Sequence, residues 1–383
     1  MNNFQENLPV IIYPHNQRLM SGRVNDIVIM KTCHALARLG HRVGIITGKP
    51  AMNLSIEEYY GLQPLSNLQI IKVPMLRGKH FSWHGIFNLF CLLKILKMRK
   101  KGLADIIYLR EIKLARFLLK FKKFIRLPFI IEVHDLRIRK FYDNLPEKNP
   151  DEEWVFKRVD AIIVLLNCFG DILKETYTIE VPVFKVPLAA ERASFKIKEN
   201  NNKTIGYIGQ LYPLQGVEIL IEAISYLPDV KLEIIGGSEK DIIRLKKLAT
   251  SLNVNERINF LGFVKPQKVA EISDNIDILV ICALNKGKRS YSAHTKLYEY
   301  MAMGKPVVAF DLPSVKEEIV DGIDVLLAKP GDPRDLADKI AYLLNNQDKA
   351  KSLAINAYKS SEKFTWENRA KKLSKIFNKI KYD

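Results

Sequence analysis

Short apolar runs alternate with helical stretches along the chain, and this alternation restricts the fold more than any other feature of the sequence. Strands separated by helices of about 10–15 residues are typical of βαβ units, whose strands pair in parallel. Runs such as 276–281 are apolar almost throughout, as expected of strands covered on both faces of a sheet. The predicted strands are 9–14, 41–47, 104–109, 129–134 and 161–166 in the first half, and 204–209, 231–237, 258–263, 276–283 and 306–311 in the second.

A polar segment at 196–204, KIKENNNKT, divides these strands into two series. At roughly 100–200 residues per domain, a chain of 383 residues is long enough for two domains. Open parallel sheets bind their ligands beyond the carboxyl ends of the strands. The predicted fold class is therefore α/β, with two Rossmann-like domains whose parallel sheets face each other across a cleft.

The charge of the chain is strongly basic. Its 60 Lys and Arg against 42 Asp and Glu give a formal net charge of +18, which favours an anionic partner. Between residues 72 and 126 there are 15 basic residues and only two acidic ones. Here the segments 87–101 and 117–129 both combine aromatic and aliphatic residues with cations, which suits anionic lipid headgroups or phosphates. Core-facing helices with solvated lysines fit the same pattern, so both interpretations stay open.

Four possibilities receive no support from the sequence: RNA binding, a membrane-spanning segment, a signal peptide and a structural metal site. No basic–aromatic recognition motif for RNA occurs, so we expect no nucleic-acid partner. The most apolar run, 86–96, is interrupted by Lys94 and is shorter than the about 20 residues that a membrane span needs. No signal-peptide pattern occurs at the N-terminus. The chain has four cysteines, Cys33, Cys91, Cys168 and Cys282. They lie far apart and match no zinc-binding spacing, which indicates a reducing compartment and no structural metal.

These observations predict a cytoplasmic protein. The cationic segments between residues 72 and 126 add a second expectation, namely peripheral binding at the inner face of the cell membrane, with an anionic membrane surface as partner.

The second series of strands begins with a glycine-rich turn. In TIGYIGQLYPLQG, residues 204–216, Gly209 and Gly216 surround a turn that opens a helix, and the next strand ends at Gly237 and Ser238. Glycine lets the backbone approach a phosphate, and a helix N-terminus favours negative charge. Glycines at such turns are also required for steric reasons alone, so this pattern does not decide between phosphate binding and packing.

The most informative segment is SYSAHTKLYEYMAMGKPVVAFD, residues 290–311. It contains a loop that leads into a helix predicted over 296–303. Backbone amides at the start of that helix, with the cation of Lys296 beside them, would suit a diphosphate. The polar residues of the loop are Ser292, His294 and Thr295.

Glu299 lies one turn past Thr295 and on the same side of the predicted helix. A carboxylate in that position can accept hydrogen bonds from a ribose diol. The alternative is that Glu299 caps the helix or pairs with a neighbouring lysine.

Taken together, these segments resemble the GT-B fold glycosyltransferases of the retaining family 4 type, which use nucleotide-sugar donors. The resemblance covers nearly the whole chain, and the order and spacing of its segments are more specific than any one motif. The donor-side likeness lies in 207–223 and 297–340, and the acceptor-side likeness lies in 35–47, 105–111 and 129–135. FTWENRAKKLSKIF, residues 364–377, resembles the terminal helix that returns to the first domain.

The resemblance implies the domains and most of the site. The acceptor-side domain would be 1–187 with the terminal helix 366–383, and the donor domain would be 188–365. We assign catalytic roles to His134, Glu299 and Lys296, with Glu299 on the ribose. The residues expected to bind the donor and its phosphates are Gly209, Gln210, Gln215, Gly237, Ser238, Val264, Tyr291, Ser292, His294 and Thr295.

Two cations of the family are missing from the phosphate loop. The family usually has an Arg directly after the loop glycine and a Lys directly before the helix glycine, where this chain has Gln210 and Gln215. A second Glu, which commonly touches the sugar, is replaced by Tyr291. Charge stabilisation of the leaving group is often the largest catalytic contribution, so either activity is reduced or lost, or a nearby cation supplies the charge: Lys286, Lys288, Arg289 or Lys296.

On the acceptor side, His134 matches the family histidine at the end of a strand, near the transferred sugar. The alternative for a lone histidine is a purely structural role. Arg110 and Glu111 resemble the preceding strand-end motif, and Ser21 with Gly22 stands for a glycine loop whose usual Gly-Gly is absent.

No Asp-x-Asp sequence occurs, so we expect a metal-independent reaction, because metal-dependent transferases need carboxylates that hold the ion. The resemblance implies retention of the anomeric configuration. No cofactor is expected, and the expected donor substrate is a UDP-sugar.

Our leading hypothesis is a glycosyltransferase that adds a sugar to a glycan or lipid-linked acceptor in cell-envelope polysaccharide or glycolipid synthesis. The alternative, motivated by Gln210, Gln215 and Tyr291, is a non-catalytic GT-B protein that binds a nucleotide or glycan or acts as a scaffold.

Overall fold

The computed structural model describes residues 8–21, 24–77, 82–136, 141–142, 145–192, 195, 202–264, 266–285 and 291–382. The chain divides into two compact units. The first unit consists of Met1–Pro187 with Trp366–Asp383, and the second consists of Leu188–Thr365.

The first unit is built on a seven-stranded parallel sheet. The strands of the whole first unit, in chain order, are β1 (Ile11–Pro14), β2 (Val43–Thr47), β3 (Leu68–Lys72), β4 (Leu76–Arg77), β5 (Ser82–Trp83), β6 (Ile106–Leu109), β7 (Phe129–Val133), β8 (Phe141–Tyr142), β9 (Leu145–Pro146), β10 (Ala161–Val164) and β11 (Val183–Lys185). The sheet order is β11–β10–β7–β6–β1–β2–β3, while β4–β5 and β8–β9 form short antiparallel pairs.

The helix Pro150–Phe156 of the first unit begins with local signals that its sequence supplies. At the start of this helix, Asn149 accepts hydrogen bonds from the backbone N–H groups of Asp151 and Glu152, and Pro150 occupies the first helical position. The helices are α1 (Val24–Arg38), α2 (Ile56–Tyr60), α3 (His84–Lys100), α4 (Ile112–Leu119), α5 (Lys122–Ile125), α6 (Pro150–Phe156) and α7 (Asn167–Thr176).

The second unit contains a six-stranded parallel sheet, with the order β14–β13–β12–β15–β16–β17. The strands are β12 (Thr204–Ile208), β13 (Lys231–Ile235), β14 (Ile258–Gly262), β15 (Ile278–Ile281), β16 (Val307–Phe310) and β17 (Leu326–Ala328). The helices are α8 (Val217–Ser225), α9 (Glu239–Ser251), α10 (Pro266–Ser273), α11 (Thr295–Ala302), α12 (Pro313–Lys316), α13 (Pro333–Asn345) and α14 (Gln347–Ser360).

In each sheet the strand order reverses at one point, between β1 and β6 in the first unit and between β12 and β15 in the second. Ligands of doubly wound sheets bind at the carboxyl ends of the strands at such a point. The predicted α/β class with two parallel-sheet Rossmann-like domains is confirmed.

The two basic segments 87–101 and 117–129 have different secondary structure. Nearly all of 87–101 lies in the single helix α3, whereas 117–129 contains the end of α4 and the short α5, after which Arg126 has a φ of +51°.

The terminal helix α15 (Trp366–Tyr382) packs beside α1 in the first unit. Its Arg369 is fully buried and donates from Nη2 to both carboxylate oxygens of Glu132, at 2.7 and 2.6 Å. Nη1 of the same side chain donates to the carbonyls of Val186 and Pro187, at 3.0 and 2.7 Å. Since Glu132 lies within the buried strand β7, this one arginine joins the end of the chain to the centre of the first sheet.

We expect Arg369→Met to lower the free energy of unfolding by about 3–5 kcal/mol, because it leaves the Glu132 carboxylate buried without its cation. Urea unfolding at neutral pH measures this change. Arg42→Met, at an exposed arginine of the same unit, is the matched control and should change the free energy by less than about 0.5 kcal/mol. A loss below about 1 kcal/mol for Arg369→Met would contradict the role assigned to the pair.

Candidate functional site

A cluster of polar side chains lies at the carboxyl ends of β6 and β7 in the first unit. Glu132 accepts hydrogen bonds from the Tyr108 hydroxyl and from Nε2 of His134, in addition to those from Arg369. A carboxylate only accepts, so the proton of the neutral imidazole is on Nε2, and Nδ1 carries the lone pair. The cluster lines a small cavity with Arg110 and with residues of β1 and α1.

The charges of this cluster determine its protonation. Burial alone would raise the pKa of Glu132, but Arg369 and His134 together lower it to about 2. Burial, assisted by the positive charge of Arg110, lowers the pKa of His134 to about 4, although Glu132 opposes this effect. At neutral pH the cluster therefore contains an ionised Glu132 and a neutral His134.

The other predicted acceptor-side residues lie near the carboxyl ends of β1 and β6. Arg110 donates to Oδ1 of Asn25 at 3.0 Å, and burial lowers its pKa. Glu111 immediately precedes α4 and accepts from Gln17 at 3.4 Å. The backbone N–H of Ser21 donates to Asp26 at 3.1 Å. Gly22, predicted with Ser21, lies outside the described residues. The structure thus brings Arg110 and His134 to one cavity, and their roles remain predictions.

On the donor side, the turn after β12 meets the first turn of α11. Lys296 Nζ donates to Oε1 of Gln215 at 2.7 Å and to the Tyr207 hydroxyl at 2.6 Å. Tyr207 in turn donates to the backbone carbonyl of Gln210 at 2.7 Å. Residues that the sequence places in two separate motifs therefore form one hydrogen-bonded group.

Two glycines of this turn are required by packing. A Cβ on Gly209, whose φ is +145°, would lie 2.2 Å from Cε of Lys296, and a Cβ on Gly216 would lie 1.9 Å from the carbonyl oxygen of Cys282. A side chain at 216 would have to displace the backbone of Cys282, whereas one at 209 would have to displace the side chain of Lys296 and adopt a φ that L-residues rarely adopt. The steric interpretation therefore applies to both glycines, whether or not the turn also binds a phosphate.

The remaining predicted donor residues differ in exposure. Glu299 is exposed, and Thr295 and Ser292 are partly exposed, so all three present surface to a ligand. His294 is buried and its Nε2 lies 3.1 Å from Oγ of Ser314, while Tyr291 is only 2% exposed.

The loops after β13 and β14 contain the other predicted donor residues. Ser238 caps α9 by accepting from the N–H of Asp241 at 3.3 Å, and Gly237 precedes it with a φ of +85°. Val264 follows β14 and is partly exposed, whereas Gln210 lies in the turn after β12 and is exposed. The donor-binding roles of all these residues remain predictions.

Sequence reasoning missed Glu132, Arg369 and Tyr207. One signal was available, since a single carboxylate interrupts the apolar strand FIIEV, and a charge buried in a parallel sheet needs a partner. Within the described part of the chain, no group of three or more His, Cys, Asp or Glu could hold a metal ion. Metal independence itself stays a prediction.

Two curated glycosyltransferases are similar to parts of the chain. An uncharacterised glycosyltransferase of Methanocaldococcus jannaschii is 28% identical over 258 residues, which are 64% of this chain and 63% of that protein. A D-inositol 3-phosphate glycosyltransferase of Corynebacterium urealyticum is 27% identical over 188 residues, 46% of this chain and 43% of that protein. The match thus spans less than two thirds of the length of either relative.

Two family matches and a solved structure cover most of the chain. Residues 26–187 match the family described as Glycosyltransferase Family 4, and residues 190–360 match Glycosyl transferases group 1. The structure of HepE from Anabaena, in complex with UDP and glucose, superposes with a TM-score of 0.72 at 17% identity, covering 97% of this chain and 99% of that one. The chain belongs to the family 4 type of glycosyltransferases with the GT-B fold, as its sequence predicts.

The stability of the protein should decrease as the pH decreases, because of the cluster that contains Glu132 and His134. His134 has a pKa of about 4 in the folded protein against 6.5 ordinarily, so between these values the unfolded chain binds the proton more readily. The stabilisation is complete above about pH 6.5 and is lost as the pH falls toward 4. The pKa of Glu132 is about 2 in the folded protein against 4.5 ordinarily, so stability falls further below about pH 4.5.

His134→Gln isolates the histidine contribution, because glutamine keeps a donor for Glu132 and does not titrate. Urea unfolding of both proteins between pH 4 and 7 should give a shallower decline of the free energy of unfolding for the variant. Parallel curves for the two proteins would contradict the assignment.

Proposed function

We propose that the protein transfers a sugar from a nucleoside-diphosphate sugar to a glycan or lipid-linked acceptor, in the synthesis of a cell-envelope polysaccharide or glycolipid. The observation that carries this proposal is the group formed by Lys296, Gln215 and Tyr207 at the carboxyl end of β12, with the exposed Glu299 one turn away. The structure of HepE with UDP and glucose supports a UDP-sugar as donor.

Each part of the donor would meet a matching group of the second unit. The carboxylate of Glu299 accepts hydrogen bonds from the ribose diol. The diphosphate, which gains negative charge as the sugar leaves, lies against the start of α11 and the ammonium of Lys296. Preorganised charges of this kind stabilise a departing phosphate without reorganising during the reaction.

The proposed reaction retains the anomeric configuration and uses no metal ion. The acceptor hydroxyl oxygen forms a bond to the anomeric carbon on the face from which the diphosphate oxygen departs. The departing oxygen takes the proton of that hydroxyl, so no protein side chain is needed as a base. His134, neutral and held by Glu132, offers Nδ1 as an acceptor for a substrate hydroxyl.

Three residues favour the alternative of a non-catalytic protein that binds a nucleotide or glycan. Gln210 and Gln215 carry no charge, and the buried Tyr291 supplies no carboxylate where the family commonly has a Glu that touches the sugar.

We further propose that the first unit binds an anionic lipid surface through α3 and α5, which pack against each other. Leu89 and Leu93 lie half-exposed on one side of α3, and Lys97 continues the same row. On α5, Phe124 is 70% exposed between Lys123 and Arg126. Apolar side chains rimmed by cations complement anionic headgroups over acyl chains. No helix among the described residues has the length and apolar character to cross a bilayer.

Release of nucleoside diphosphate from UDP-, GDP- and ADP-sugars, with a chelator and an acceptor extract present, tests the reaction. One donor should be consumed, and Glu299→Ala should lower kcat/KM for it by about 10- to 100-fold, the contribution of hydrogen bonds to a charged group. Glu222→Ala, at an exposed glutamate of the same unit, is the matched control and should leave the rate unchanged. Binding of a nucleotide without release from any donor would favour the non-catalytic alternative.

Cosedimentation with lipid vesicles tests the membrane surface. Vesicles that contain anionic lipid should retain the protein, whereas zwitterionic vesicles or high salt should not. Replacing Leu89 and Leu93 together by Ser should weaken retention by about tenfold, since apolar area is lost from the bound surface. Val320 and Ile323, equally exposed in the second unit, provide the matched double Ser variant, and an equal loss in both variants would contradict the proposal.

A further inference from the structure

The ammonium of Lys296 is held in one place by three elements of the second unit. Its stem crosses the backbone of Gly209, where a Cβ would approach Cε to 2.2 Å and Nζ to 2.8 Å. Nζ lies 2.7 Å from Oε1 of Gln215 and 2.6 Å from the hydroxyl of Tyr207, and it is 4.4 Å from the centroid of the Tyr207 ring. A long, flexible side chain on α11 is thereby fixed at the carboxyl end of β12.

The orientation of Gln215 is set by its other contacts. Its Nε2 donates to the hydroxyl of Tyr212 at 2.6 Å, so the amide oxygen faces Lys296. Gln215 is buried, and its amide, like the Tyr207 hydroxyl, is uncharged. These two partners therefore orient the ammonium without themselves contributing a negative charge to it.

We propose that Lys296 occupies the place of the missing phosphate-loop lysine: its ammonium, delivered from α11, binds the diphosphate of the donor, and Gln215 is the positioning residue that holds it there. This inference rests on the proposed function, which already places the diphosphate beside Lys296, and adds that Gln215 holds the ammonium there in place of the family lysine. In the family pattern the cation is carried by the loop after β12, whereas here it is carried by the first turn of α11. In both cases the charge lies at or beside the end of the side chain at position 215.

The contact between the two side chains makes their identities interdependent. A lysine at position 215 would bring a second ammonium against that of Lys296, and like charges at contact distance repel. One cation at this point is therefore compatible with the surrounding loop, and a neutral hydrogen-bond acceptor must accompany it. Restoring the family lysine at 215 alone should harm the site, whereas moving the charge from 296 to 215 should preserve it.

Four variants test the exchange: Lys296→Met, Gln215→Lys, the double variant Gln215→Lys/Lys296→Met, and Lys247→Met as the control at an exposed lysine of the same unit. For each, calorimetry gives the affinity for UDP, GDP and ADP and for the corresponding nucleosides, and diphosphate release gives kcat and KM. Thermal unfolding establishes that each variant is folded.

Lys296→Met should weaken binding of the diphosphate at least about tenfold and lower kcat by about 10²–10³-fold, with nucleoside affinity unchanged. Gln215→Lys should also weaken both quantities, and the double variant should recover to within about tenfold of the wild-type protein. The nucleoside comparison separates a missing cation from a distorted site, because distortion would lower both affinities.

Three results would overturn the inference while leaving the proposed function intact: diphosphate binding by Lys296→Met equal to that of wild type, a gain of activity in Gln215→Lys, or a folded double variant no better than Lys296→Met. A wild-type protein that bound none of the three diphosphates would instead contradict the proposed function, and the inference with it.

Discussion

The first unit depends on a buried carboxylate that its own sheet cannot satisfy. Glu132 lies inside β7, and the arginine that compensates it is 237 residues further along the chain. A buried ion pair contributes little net stability compared with apolar residues of equal size, but either charge alone is strongly unfavourable. The pair therefore specifies where α15 must dock. Since the same carboxylate holds His134, the last helix of the chain also orients the histidine at the end of β7.

The second unit also fixes one charged side chain by hydrogen bonds, but its charge is positive and its hydrogen-bond partners are neutral. There the ammonium of Lys296 is fixed by neutral partners, and glycine at 209 provides the space through which its stem passes. In the first unit a charge is buried and neutralised, whereas in the second a charge is oriented and remains partly exposed. The first arrangement suits structure and positioning, and the second suits the binding of an anion.

The sequence was sufficient for the fold class because apolar strands and helices alternate so regularly. Of the strands in the two parallel sheets it missed β3, β11 and β17, whose residues are partly exposed at sheet edges or number only three, so they lack the continuous apolar run of a central strand. The motifs near Gly209 and Glu299 were found by spacing. The pairs Glu132–Arg369 and Lys296–Gln215 were not, because each joins segments far apart in the chain, and only the packed structure brings them together.

Gln210 and Gln215 show why a departure from a family pattern cannot be interpreted position by position. In the sequence alone, these two glutamines replace the two cations that the family usually has, which suggests a weakened or inactive site. In the structure one of them contacts a cation that another element supplies, so the local charge depends on the group and not on either position. An electrostatic requirement restricts where a charge lies in space, and several backbone positions can deliver it there. Loss of a motif residue therefore counts against function only after the surrounding side chains have been located.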